Sequence, residues 1–83
     1  MNSYSLIKQI DISGSKTIFC ALNKNILLTG DENKRIMQWE IKDDNLKFIS
    51  VKETAHNADI YTLLQLGNNK FLSGSVDKLV KIW

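Results

Sequence analysis

Phe71-Leu72-Ser73-Gly74-Ser75-Val76-Asp77-Lys78-Leu79-Val80-Lys81-Ile82-Trp83 decides the fold, because the chain carries the same pattern a second time. The other copy is Leu27-Leu28-Thr29-Gly30-Asp31-Glu32-Asn33-Lys34-Arg35-Ile36-Met37-Gln38-Trp39. Working outward, the run from Lys8 to Trp39 lies on the run from Lys52 to Trp83 without a gap, 44 positions later (83 minus 39). Leu22 meets Leu66, Asn25 meets Asn69, Gly30 meets Gly74, Lys34 meets Lys78, and Ile36 faces the conservative Val80. Two tryptophans and two glycines that fall in one register mark an internal repeat.

Within each unit, short apolar runs are broken every eight to twelve residues by Asn, Asp, Gly or Lys clusters. That is the spacing of turns between antiparallel strands. Eight strands are predicted, over about 4–10, 16–22, 25–30, 35–41, 46–53, 59–66, 70–75 and 79–83, with boundaries good to about two to four residues. Asn23-Lys24-Asn25 and Gly67-Asn68-Asn69 supply residues that tolerate positive φ, and Asp43-Asp44-Asn45 can close a loop through side-chain hydrogen bonds. Residues 34–39 and 78–83 alternate with period two, which argues strand over helix. Ile26-Leu27-Leu28 and Phe71-Leu72 lack the alternation, as inner strands covered on both faces do. A repeat of about 40–45 residues is what four strands and their turns need, and it points to β-propeller blades.

Composition sets the limits. An 83-residue chain can hide only a modest core by itself. Its 43% hydrophobic and 24% charged content is that of an ordinary globular chain. No uninterrupted apolar stretch suggests a signal peptide or a membrane span, so an intracellular location, cytoplasmic or nuclear, is expected. The single cysteine, Cys20, allows no intramolecular disulfide and no cysteine-built metal site. It reads as a core residue. The formal charge of +2 comes from lysines spread singly along the chain, and the lone Arg35 has only Lys34 beside it. Without a basic stripe interleaved with aromatic platforms, a nucleic-acid partner is not expected.

His56-Asn57-Ala58-Asp59-Ile60 followed by the Ser-Gly-Ser-x-Asp…Trp run of 73–83 resembles a WD repeat, and Leu27 to Glu40 resembles the same repeat in degenerate form. The resemblance implies an all-β fold of antiparallel four-stranded blades, about two blades of an incomplete or self-assembling β-propeller. It implies residues 1–10 as the outer strand of a preceding blade, 11–53 as a degenerate blade, and 54–83 as a blade lacking its outer strand. The stop at Trp83 suggests a piece of a longer propeller; the alternative is identical copies that assemble into six or eight blades. Departures from the pattern are Ala55 where the family has Gly, Glu40 where it has Asp, Ile12 in place of the first His, and Asn33 in place of the first turn Asp. They predict that the first blade lacks the polar network.

His56, Ser73 and Asp77 are also the residue types of a hydrolase triad. Nucleophilic catalysis needs an exposed serine beside the histidine and an oxyanion hole, whereas alternation puts Ser73 in a central strand and Asp77 in a tight turn. The resemblance gives these residues a structural role instead: His56 bonded to Asp77 and Ser73, and the Ser73 hydroxyl to the Trp83 indole. Trp39 and Trp83, in repeat register, read as packing residues before ligand platforms.

Partners of WD propellers usually meet strand-start residues after the His and the residue before the turn Asp. Those positions are Asp59, Tyr61 and Val76 here, with first-copy equivalents Ser15, Thr17 and Glu32. All six could equally be ordinary solvent-facing residues. The expected function is a non-catalytic protein-protein interaction scaffold with protein partners and neighbouring blades, needing no cofactor and no metal. The alternative is a ligand-binding or enzymatic propeller whose active parts lie outside this sequence.

Overall fold

The structure, a computed structural model, describes residues 3–11 and 16–83. Among the described residues it is all-β, with seven strands in two antiparallel sheets. The first sheet runs β1 (Thr17–Asn23), β2 (Ile26–Asp31), β3 (Ile36–Lys42) and β4 (Asn45–Lys52), each beside its sequence neighbour. The second repeats the meander with β5 (Ile60–Gly67), β6 (Lys70–Ser75) and β7 (Val80–Ile82). Sheets of four and three strands in this order are those of propeller blades.

Seven of the eight expected strands are present, most of them shifted by a residue. The exception is 4–10: among the described residues, 3–11 hold no strand. A strand exists through its ladder, and no strand of either sheet offers this segment one. Tyr4, Leu6 and Ile7 are accordingly exposed.

The hairpins follow from turn chemistry. Asp43 and Asp44 both take positive φ, 53° and 59°, as do Asn68 and Asn69, 53° and 58°. Two successive left-handed residues make the type I′ geometry that matches strand twist. Asn23-Lys24-Asn25 closes differently, with no positive φ and with the Asn25 backbone N–H donating to Asn23 Oδ1 at 2.8 Å. Asp43-Asp44-Asn45 thus turns by backbone conformation, and its side-chain bond is local, from the Leu46 N–H to Asn45 Oδ1 at 2.9 Å.

The inner strands β2 and β6 end in buried runs, Leu28 to Asp31 and Ser73 to Ser75. The core lies where the sheets meet: Ile36, Ala55 and Ile60 are buried together, with Ile18, Leu63 and Phe71 packed around them. Gly30 makes this approach possible, since a Cβ there would stand 2.9 Å from Ile60 Cγ2. Ala55, at the position where the family has glycine, is absorbed into the core at 0% exposure. At the opposite rim, Asn23 Nδ2 donates to Asn69 Oδ1 at 3.0 Å and Gln65 Nε2 to the Leu22 carbonyl at 3.2 Å. These bonds tie the β1–β2 turn to the second sheet.

Candidate functional site

Two constellations lie near the edge where β1 and β5 begin. The first is buried. His56 lies in the segment before β5, Ser73 in the middle of β6, Asp77 in the β6–β7 turn and Trp83 just past β7. His56 Nδ1 stands 2.9 Å from Asp77 Oδ2, and His56 Nε2 2.7 Å from Ser73 Oγ. The Trp83 indole N–H donates to Ser73 Oγ at 2.9 Å. One proton assignment serves every group: Nδ1–H donates to the carboxylate, and the Ser73 hydroxyl donates to bare Nε2 while accepting from the indole. Among the described residues no buried side-chain nitrogen or oxygen is left without a partner.

Asp77 anchors the backbone as well. Its Oδ2 accepts the Asn57 N–H at 3.0 Å and its Oδ1 the Leu79 N–H at 2.9 Å. Desolvation raises the carboxyl pKa, but the N–H groups of Asn57 and Leu79 and the hydrogen bond from His56 outweigh it, lowering the value from 3.8 to about 2. Ser75 extends the system by accepting the Asp77 N–H and donating to the Ala58 carbonyl, both at 3.1 Å. Chemically, this holds a turn. Ser73 Oγ, on a residue at 0% exposure and engaged by two ring nitrogens, offers a substrate carbonyl no line of approach in this conformation.

The first copy departs from expectation. Half of its network is present, since the Trp39 indole donates to Thr29 Oγ1 at 3.0 Å. A second device replaces the rest. Asp31 Oδ1 accepts the N–H groups of Asn33 and Arg35 at 2.9 and 3.1 Å, and its Oδ2 pairs with the Arg35 guanidinium at 2.9 Å. Arg35 and Leu79 are equivalent by the repeat, so both turns cap the same N–H, one from Asp31 and the other from Asp77. The acid at Ser75's position was the available signal. Ile12, which stands at the first His position, lies outside the described residues.

The second constellation is open to solvent. Lys16, Thr17, Ile18, Glu32, Asp59, Ile60, Tyr61 and Val76 line one hollow of about 230 Å³. Five of the six residues singled out as partner-facing are therefore brought together, from the start of β1, the β2–β3 turn, the start of β5 and the β6–β7 turn. The sixth, Ser15, lies outside the described residues. Tyr61 and Val76 are each 61% exposed. The Val76 N–H donates to the Asp59 carbonyl at 3.0 Å, which fixes the two walls contributed by the second sheet. Lys16, Ile18 and Ile60 complete the lining, and the sequence reading did not single them out.

The chain is similar to a protein named "Probable cytosolic iron-sulfur protein assembly protein 1" from Saccharomyces cerevisiae (strain YJM789), at 33% identity over 85 residues. The match covers 100% of this chain and 26% of that protein, so the chain spans about a quarter of the length of this relative. The likeness supports the WD-repeat family and nothing finer. No protein-family model matches the chain, and no solved structure matches it. Among the described residues no helix is long and apolar enough to cross a membrane.

Proposed function

We propose that this chain supplies WD-repeat blades to a larger β-propeller that works as a non-catalytic, intracellular protein-interaction scaffold. Further blades come from a longer chain or from identical copies. The observation that carries the reading is the hollow, in which Thr17, Glu32, Asp59, Tyr61 and Val76 from two repeats meet at one rim. Repetition alone makes blades; side chains from successive blades converging on one exposed depression make a surface on which a partner can rest. Exposed tyrosine suits this use, because it gives contact area at low entropic cost.

The relative's name adds a context. It supports a role for the complete protein in the cytosolic assembly of iron–sulfur proteins, with this face holding a protein of that machinery. Iron and sulfur are cargo in such a process, and no residue here is assigned to them.

Affinity capture with the full-length protein tests the reading. Proteins retained by the parent and lost with Tyr61→Ala support it, while unchanged capture argues against this face. Loss of cytosolic iron–sulfur enzyme activity after depletion would support the finer context. A hydrolytic turnover that vanishes with Ser73→Ala would overturn the non-catalytic assignment.

A further inference from the structure

We propose that the hollow receives an arginine side chain of the partner protein. The inference rests on the scaffold reading and adds the chemistry that the face selects. Glu32 and Asp59 reach the hollow from different sheets, and both are exposed. Neither carboxylate forms an ion pair or hydrogen bond among the described residues, and Lys16, on the same rim, pairs with neither. Two carboxylates against one ammonium leave the depression formally negative on a chain whose net charge is +2. The local sign is opposite to the global one.

The remaining walls decide between a bare cation and a long basic side chain. Ile18 and Val76 give apolar surface suited to a methylene stem, over the buried Ile60. The tip of Tyr61 lies over the glycine of β6, its Cζ 3.8 Å and its hydroxyl oxygen 3.9 Å from where a Gly74 Cβ would stand, and that hydroxyl has no partner among the described residues. A planar guanidinium can stack on that ring while its fork of N–H donors reaches the carboxylates; a compact ammonium does only the second. A small metal ion would find two carboxylates beside an ammonium and apolar walls, a poor oxygen cage.

The test titrates acetyl-Gly-Arg-Gly-amide into the full-length protein and follows backbone amide signals by NMR. The same peptide with citrulline, neutral and nearly isosteric, is the control. Shifts centred on Thr17, Glu32, Asp59, Tyr61 and Val76 are expected, with the citrulline peptide binding about five- to tenfold more weakly. The Glu32→Gln/Asp59→Asn double variant, at exposed positions and so still folded, should abolish that difference. Equal binding of the two peptides, no shifts at the hollow, or an unchanged double variant each overturns the proposal. Partner capture separates the two levels. If Tyr61→Ala abolishes capture and the double variant does not, this face stands as the partner surface and the arginine falls; if Tyr61→Ala also leaves capture intact, the assignment of this face falls with it.

Discussion

Asp77 accepts hydrogen bonds from His56, Asn57 and Leu79, and the pH at which it lets go can be stated. Its folded-state pKa, about 2, lies below the 3.8 of the unstructured chain. A depressed carboxyl contributes stability that is fully present above 3.8 and is lost as pH falls from there toward 2. Unfolding free energy should therefore drop across that window, and Asp77→Asn should flatten the drop, as followed by denaturant titration at a series of pH values. His56→Ala should cost about 1–3 kcal/mol, because it leaves the buried Ser73 hydroxyl and the Asp77 carboxylate short of a partner. Ser73→Ala should cost a similar amount, and the double variant less than the two singles together, since one network is broken twice. His56, Ser73, Asp77 and Trp83 were legible in sequence through the resemblance to the WD-repeat pattern, which implied their network; the internal repeat did not carry it, because Ile12 and Asn33 stand at the first-copy positions of His56 and Asp77. The Asp31–Arg35 device was not legible, because an acid two positions early looks like loss of the network until its oxygens are seen on the same turn.

Both β-turns that follow an inner strand carry a lysine in the left-handed region, Lys34 at φ 69° and Lys78 at φ 72°. Each donates its N–H back across the turn, to the Asp31 and Ser75 carbonyls at 3.3 and 3.1 Å. The conformation is strained for a side chain with a Cβ, so Lys34→Gly and Lys78→Gly should each stabilise the fold by about 0.5–1 kcal/mol, the strain relieved minus the entropy that glycine loses. Thermal melting reads this directly. Gly30 responds in the opposite sense. Its φ is unremarkable, but a methyl there meets the β-branched Ile60, itself 4% exposed, so Gly30→Ala should cost about 1–3 kcal/mol by forcing the sheets apart. Element by element, the strands were legible because period-two alternation and Asn, Asp and Gly breaks are local signals. The segment 4–10 shows the limit of that reading: Tyr4, Leu6, Ile7 and Ile10 have the composition of a strand, but pairing depends on a ladder partner that no local pattern supplies.

At the scale of the molecule, two sheets make too little interior. The buried apolar side chains of the described residues are Leu28, Ile36, Ala55 and Ile60, whereas Leu64, Leu66, Val80 and Ile82 of the second sheet are between 45% and 68% exposed. The accessible surface is 6153 Å², against about 5000 Å² for a compact monomer of this mass. The radius of gyration, 13.6 Å, likewise exceeds the roughly 12 Å of a compact 83-residue domain. A surface of this kind is covered by neighbouring blades in a ring, and uncovered it draws chains together through apolar faces and unpaired β4 and β7 edges. The 83-residue segment studied alone should therefore not persist as a monodisperse folded monomer. Light scattering with circular dichroism on one sample decides the matter. A discrete trimer or tetramer with β signal means that copies complete the ring and that the Tyr61 hollow recurs around it; polydisperse or unfolded material means that blades from a longer chain are required. A stable folded monomer of 9.5 kDa would contradict the ring altogether, because the apolar faces would then need no cover.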